Sequence, residues 1–203
     1  MKKIIVLTRY DKLGASSRYR FYQILPFFKD REFSLKVSFL LSNYYLENLY
    51  HGTKLKSFLS IVHGYFSRLI VLLFSNKSDL IWLEKELFPW LPAFVEIIFL
   101  RLGSSYIIDY DDAIFHRYDQ HRSALVRKLF GNKIKKVMRS ATLVIAGNKY
   151  IADYAKKAGA ELVEIIPTVV DHKKYNKAHQ NRDGHFKIGW IGSPSTSRHL
   201  RVA

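Results

Sequence analysis

Cysteine is absent from all 203 residues. That removes disulfides and every thiolate metal site, and it suits a reducing cytoplasm. Acidic residues are scarce: 17 Asp and Glu stand against 33 Lys and Arg, a net charge of +16. The expected partner is therefore anionic, a nucleic acid, a phosphorylated ligand or an acidic lipid surface. No apolar run of about 18 or more residues, the length needed to span a bilayer, is free of charge, so no spanning helix is expected. The apolar start Ile4-Ile5-Val6-Leu7 stops at Thr8-Arg9-Tyr10-Asp11, too soon for the core of a signal peptide. Internal repeats and low-complexity tracts are also missing. Apolar residues, at 48%, are plentiful enough for a full core.

Short apolar runs alternate with helical periodicity, which predicts a parallel α/β sheet. Strands are expected at 3–8, 33–41, 79–83, 106–110, 142–146 and 162–166. Helices are expected at 19–28, with Pro26 as a kink or stop, and at 54–75, 92–102 and 150–158, the last ending at Gly159. The tyrosine-rich stretch 43–53 reads as an irregular connection. In 54–75, Leu55, Phe58, Leu59, Val62, Phe66, Leu69, Ile70 and Leu73 fall at helical spacing beside Lys54, Lys56, His63 and Arg68, with no acid. Such a helix packs on a sheet or lies in a membrane interface. Residues 122–139 carry seven Lys and Arg and no acid, a solvated face or a surface for phosphates and lipid headgroups.

The chemistry concentrates where strands end. Ile107-Ile108-Asp109-Tyr110-Asp111-Asp112 runs from an apolar strand into three acids, followed by His116 and Arg117. Ligands of open parallel sheets bind beyond the carboxyl ends of the strands, so this stretch reads as the lip of a site, or as the capped start of the next helix. Glu84-Lys85-Glu86 ends the preceding strand in the same way. After the first strand come Gly14, Ala15, Ser16 and Ser17 with Arg18 and Arg20, small residues that let backbone N–H groups approach an anion. A dinucleotide fingerprint needs three spaced glycines, and only Gly14 is present. Residues 172–185 are polar and linker-like. Lys187–Gly192 reads as a fresh strand, with a turn at Ser193–Ser197 and a helix start behind it. A strand with an unfinished crossover makes no domain, so the sequence is expected to stop at the opening of a second α/β half.

Four stretches together resemble the retaining, family-four group of GT-B glycosyltransferases. They are the strand–Gly14–Arg18 opening, Asp109–His116, the Ile166–Asp171 ending, and Ile188-Gly189-Trp190-Ile191-Gly192-Ser193-Pro194-Ser195-Thr196. Many members of that family carry Asn-Gly where Thr168-Val169 stand, and the paired glutamates and diphosphate-gripping Arg and Lys of its second domain have no counterparts here. The resemblance implies a Rossmann-like sheet with helices on both faces, an acceptor-side domain at 1–171, a linker at 172–185, and the start of a donor-binding domain at 186–203. It implies sugar transfer from a nucleotide-sugar co-substrate to a glycan or lipid-linked acceptor, at the inner face of the cytoplasmic membrane, with no other cofactor and no bound metal. Gly14, Arg18, Gly192 and Ser193 would lie near the donor phosphates. Asp111, Asp112 and His116 would line the acceptor side as catalytic candidates, able to orient or deprotonate a sugar hydroxyl. Arg20, Lys85, Glu86 and Asp109 would contact the acceptor. Residues 1–203 alone are expected to turn over no nucleotide sugar.

Three other readings compete. Asp109-Tyr110-Asp111 matches the metal-holding Asp-x-Asp of glycosyltransferases of the other fold. It also matches the strand-end Asp-x-Asp of haloacid-dehalogenase-like phosphatases, but Ala113 stands where that pattern has Thr or Val, and three strands precede it. The charge permits a nucleic-acid-binding module, but no zinc spacing, helix-turn-helix or sheet-aromatic RNA motif accompanies it.

Overall fold

The computed structural model describes residues 2–28, 32–51, 54–74, 78–101 and 105–174. Residues Met1–Val170 form one compact unit, and the chain from Asp171 forms a second. In the first unit six strands make one sheet, β1 (Lys2–Tyr10), β2 (Phe33–Leu41), β3 (Leu80–Glu84), β4 (Ser105–Tyr110), β5 (Leu143–Ala146) and β6 (Val163–Ile165). The order is β2-β1-β3-β4-β5-β6 and every pairing is parallel. This is a Rossmann-like α/β fold. The chain leaves β1 toward β2 on one side and resumes with β3 on the other, so the order reverses between β1 and β3. That reversal opens a crevice beyond the carboxyl ends of the two strands.

The two faces of the sheet are covered unequally. One side of each strand supplies Ile5, Leu7, Ile81, Leu83, Ile108 and Val144 to the main core. Against it pack α3 (Lys54–Leu73), α4 (Ala93–Arg101), α7 (Lys133–Ser140) and α8 (Lys149–Lys157). The alternate residues Ile4, Val6, Leu80 and Trp82 meet Phe21 and Leu25 in a smaller cluster on the other side. That cover comes from α1 (Ala15–Ser17), which runs into a π-helical turn (Arg18–Tyr22) and then a 3-10 turn (Leu25–Phe28). The helix expected over 19–28 is thus broken into tighter and looser turns, with Pro26, which lacks an N–H, inside the last. The short α5 (His116–Asp119) and α6 (Ala124–Phe130) lie between β4 and α7 in the chain.

The stretch 43–53, expected to be irregular, instead carries α2 (Asn43–His51). It contains neither Pro nor Gly up to His51 and packs along α3, a tertiary contact that outweighs the weak helix propensity of Asn and Tyr. His172–Lys174 forms a 3-10 turn. The remainder of the expected linker and the strand expected at Lys187–Gly192, with Gly192 and Ser193, lie outside the described residues.

Helix α3 is long and apolar enough to cross a membrane by length and composition, but its buried residues tie it to the sheet. They are Gly64, Arg68 and Leu72, one helical stripe at i, i+4 and i+8. A Cβ on Gly64 would stand 1.9 Å from the Leu40 carbonyl oxygen, so only glycine lets the helix lie this close to β2. Arg68, fully buried, donates from Nη2 to the carbonyls of Thr8 and Ser38. Its Nε and Nη1 find no partner among the described residues, and burial pulls its pKa down to about 9. The opposite stripe faces outward and is also apolar: Leu55, Phe58, Leu59, Val62, Phe66 and Leu73 are all exposed.

Candidate functional site

The loop after β1 folds tightly onto the sheet. A Cβ on Gly14 would meet Tyr10 Cβ at 2.2 Å, so glycine is required for the loop to close. Its N–H donates to the Asp11 carbonyl at 2.9 Å and closes the turn that leads into α1. Ser17 is buried; its hydroxyl donates to Glu84 Oε2 at 2.6 Å and accepts from the Tyr10 N–H at 3.0 Å. Arg18 is exposed, its guanidinium 4.9 Å from the centre of the Tyr19 ring. Between this loop and α2 lies a cavity of about 530 Å³ lined by Tyr10, Leu13, Gly14, Ser16, Leu46 and Leu49.

After β3 the chain turns within three residues. The Glu86 N–H donates to the Glu84 carbonyl at 2.8 Å, and Lys85 between them has φ of 62°. This is a γ-turn of the strained hand, in a region a side-chain-bearing residue enters at a cost of about 1–3 kcal/mol. The turn sends the Lys85 ammonium across the ends of two other strands. Nζ lies 2.7 Å from Asp111 Oδ1, 3.0 Å from Asp112 Oδ2 and 3.1 Å from Ser16 Oγ. Burial works against the charge on Lys85, but the two aspartates outweigh it and raise its pKa. Lys85 in turn holds Asp111 below its ordinary value against the effect of burial. Lys85 is nearly buried, Asp111 partly so, and Asp112 is 68% exposed. The ends of β1, β3 and β4 thus meet at one cation, with Asp112 as its solvent-facing edge.

Beneath that edge is a layer of buried charge. Glu86 receives Lys133 at 2.8 Å, Arg9 at 3.3 Å and the Tyr118 hydroxyl at 2.5 Å. Burial would raise its pKa, yet Lys133 and Arg9 keep it low. Lys133 also touches Glu96 at 2.7 Å, and Glu96 accepts from the N–H groups of Leu87 and Phe88. Burial pushes Glu96 up to about 7 despite Lys133. On the other side of the sheet Asp109 pairs with Arg20 Nε at 2.5 Å, and Arg20 continues to the Ile166 carbonyl and the Thr168 hydroxyl. Burial pushes Asp109 up to about 7 as well, against the pull of Arg20.

Among the residues expected from sequence, Lys85, Asp111 and Asp112 come together directly, and Gly14 stands beside Ser16 in the same loop. Arg20, Glu86 and Asp109 are buried, with their polar groups engaged by partners inside the fold. His116 lies at the start of α5, in contact with Asp119 and Tyr150. Sequence alone did not point to Ser16 as a ligand of Lys85, to Glu96 inside an apolar helix, or to the burial of Lys133, which fell in a stretch expected to be a solvated face or a surface for phosphates and lipid headgroups. One signal was available for Lys133: it directly precedes Ile134, and α7 buries Ile134, Val137 and Met138 along with it. Leu125 and Leu129, expected on the apolar side of the basic stretch, are exposed.

No protein-family model and no curated protein matches this chain. Function must therefore be argued from the groups themselves. The trough offers a fixed ammonium, an exposed carboxylate and a serine hydroxyl, a set suited to polyhydroxylic or phosphorylated ligands. Asp109 faces Arg20, and Asp111 faces Lys85. Among the described residues, no group of three or more His, Asp or Glu is placed to hold a metal ion.

Three raised carboxyls, Glu84, Glu96 and Asp109, give the fold a definite pH dependence. Asp109 and Glu96 keep their protons in the fold up to about 7, whereas their ordinary values are 3.8 and 4.5. Between those limits the native state binds more protons than the unfolded chain, so the free energy of unfolding falls as pH rises. Urea midpoints measured from about pH 5 to about pH 8 should decline up to about pH 7 and then level. A midpoint that climbs across this window would contradict the assignment.

Proposed function

We propose that residues 1–171 are the acceptor-side lobe of a retaining GT-B glycosyltransferase, which moves a sugar from a nucleotide-sugar donor to a glycan or lipid-linked acceptor. The observation that carries this reading is the meeting of three strand ends at Lys85, on the sheet edge where the strand order reverses. That edge is where open α/β sheets receive ligands. Its groups match the needs of the reaction: Asp112 and Asp111 to orient a sugar hydroxyl, and Lys85 and Arg18 to bring positive charge near departing phosphate. The apolar cavity beside Ser16 would take the less polar part of an acceptor. The donor would be held chiefly by a second lobe, whose proposed opening is 186–203. No metal and no cofactor other than the nucleotide sugar enters this reading.

The acceptor is proposed to be membrane-borne. The outward stripe of α3 exposes Leu55, Phe58, Leu59, Val62 and Phe66 beside Lys54 and Lys56. An apolar face edged with lysine suits the headgroup boundary of an anionic bilayer. The protein would then sit peripherally on the inner face of the cytoplasmic membrane, with α3 bound to the sheet on one side and to lipid on the other.

Two experiments test these proposals. In the first, the open reading frame containing residues 1–203 is assayed for transfer of label from a panel of nucleotide sugars to a membrane lipid extract. Asp112→Asn, an exposed change, should lower transfer by about tenfold or more, and Lys85→Met by about a hundredfold. No transfer from any donor, or transfer indifferent to both changes, contradicts the reading. In the second, flotation with vesicles rich in phosphatidylglycerol should carry the protein upward at low salt. Phe58→Ser with Phe66→Ser should leave it at the bottom of the gradient, and if that double variant floats as well as the wild type, α3 is not the contact.

A further inference from the structure

We infer that Asp119, His116 and Tyr150 form a proton relay whose outer end, the Tyr150 phenol, takes up the proton of a substrate hydroxyl. His116 Nδ1 lies 2.9 Å from Asp119 Oδ1, and His116 Nε2 lies 2.6 Å from the Tyr150 hydroxyl. An ionised carboxylate can only accept, so Nδ1 carries the hydrogen and Nε2 keeps a lone pair for the Tyr150 O–H. This is the order of groups that activates a hydroxyl: an oxygen within reach of a base, and the base oriented by a third group.

The relay is held from several sides. Phe115, 1% exposed, stacks on Tyr154 with ring centres 3.6 Å apart and nearly parallel, and meets the His116 ring edge to face with ring centres 4.5 Å apart. Two residues on from His116, Tyr118 is anchored to Glu86. The start of α8 is fixed by Asn148, whose side-chain oxygen accepts the Ile151 N–H at 3.0 Å. Gly147 donates to the Tyr110 carbonyl at 2.7 Å, and a Cβ there would stand 3.0 Å from Asp111 Cα. The turn at Gly147 that leads into α8 and Tyr150 therefore lies flush against the end of β4, on the sheet edge that carries Lys85 and Asp112. Tyr150 is 57% exposed, and the His116 side chain 32%, so a substrate can reach the phenol.

In use, the substrate O–H gives its proton to the Tyr150 oxygen while the proton of Tyr150 passes to His116 Nε2. The imidazolium so formed is stabilised by Asp119. The electron pair freed on the substrate oxygen forms the new bond to the electrophile on the face from which the leaving group departs, and the leaving group takes the electrons of the broken bond. The inference rests on the sugar-transfer reading for its electrophile, the anomeric carbon, and for its leaving group, the nucleoside diphosphate. Tyr150 would then be the catalytic residue, and His116 and Asp119 the positioning residues behind it.

The relay can be tested without any sugar. The full chain is treated with N-acetylimidazole and acetylation is followed by peptide mass mapping. The tyrosine oxygen bonds to the acetyl carbon and its proton moves to His116. Imidazole leaves with the electron pair of the broken C–N bond and picks up a proton from solvent. Tyr150 should react at least about tenfold faster than Tyr44, which is 52% exposed, the low end of a general-base effect. His116→Gln should bring Tyr150 to within about twofold of Tyr44, and Asp119→Asn should lie between. The Tyr44 rate in each variant reports that the fold is intact. Equal rates in the wild-type protein overturn the relay, whatever the transfer assay gives. Where transfer is found, Tyr150→Phe should lower kcat by about a hundredfold with KM unmoved, and an unchanged kcat overturns the relay while sparing sugar transfer. Fast, His116-dependent labelling with no transfer from any donor overturns the sugar-transfer reading and leaves the activated phenol standing.

Discussion

The ammonium of Lys85 is the contact on which the candidate site depends. It is aimed by a strained turn at the end of β3, and it joins the loop after β1 to the acids after β4 through Ser16, Asp111 and Asp112. A parallel sheet brings its carboxyl ends to one edge by topology alone, but topology does not close the gaps between the loops. A nearly buried cation facing two carboxylates does, because separating it from them would leave charge unpaired in a medium of low polarity. The positive φ of Lys85 fits the same logic: local strain is tolerated where the surroundings over-determine a conformation.

The layer under the site supplies that over-determination. Glu86 and Glu96 share Lys133, and Glu86 also holds Arg9 and Tyr118. These residues come from the end of β1, the segment after β3, α4, α5 and α7, so the network fastens together the elements whose loops form the trough. Such buried pairs are weak contributors to net stability but strongly destabilising when one partner is lost. Their effect here is to fix the trough walls relative to one another, including the segment that leads from Asp112 to His116.

Much of this was legible from sequence. Alternating apolar runs gave the parallel sheet, and charged residues at the ends of β3 and β4 pointed to the edge where Lys85, Asp111 and Asp112 meet. The pairing of Lys85 with Asp111 was not legible, since it depends on the register of β3 against β4 and on a positive φ that no lysine advertises. Glu96 was hidden in an apolar helix, where only the identity of its partner distinguishes a buried carboxyl from an exposed one. The helix at Asn43–His51 was missed because its formation rests on packing against α3, and Asn and Tyr are indifferent helix formers. The steric need for glycine at Gly14, set by its approach to Tyr10, is something spacing alone does not encode.

The claim that the switch-point trough is where the ligand binds is tested most directly by chemical-shift mapping. Amide resonances of the chain are followed while a nucleotide sugar, and separately a phosphorylated glycan, is added. The account predicts saturable shifts clustered at Ser16, Lys85, Asp111 and Asp112 with at least one of the two, and their loss in Lys85→Met. Shifts confined to the amino-terminal edge of the sheet, or a saturable response that Lys85→Met leaves intact, would contradict it.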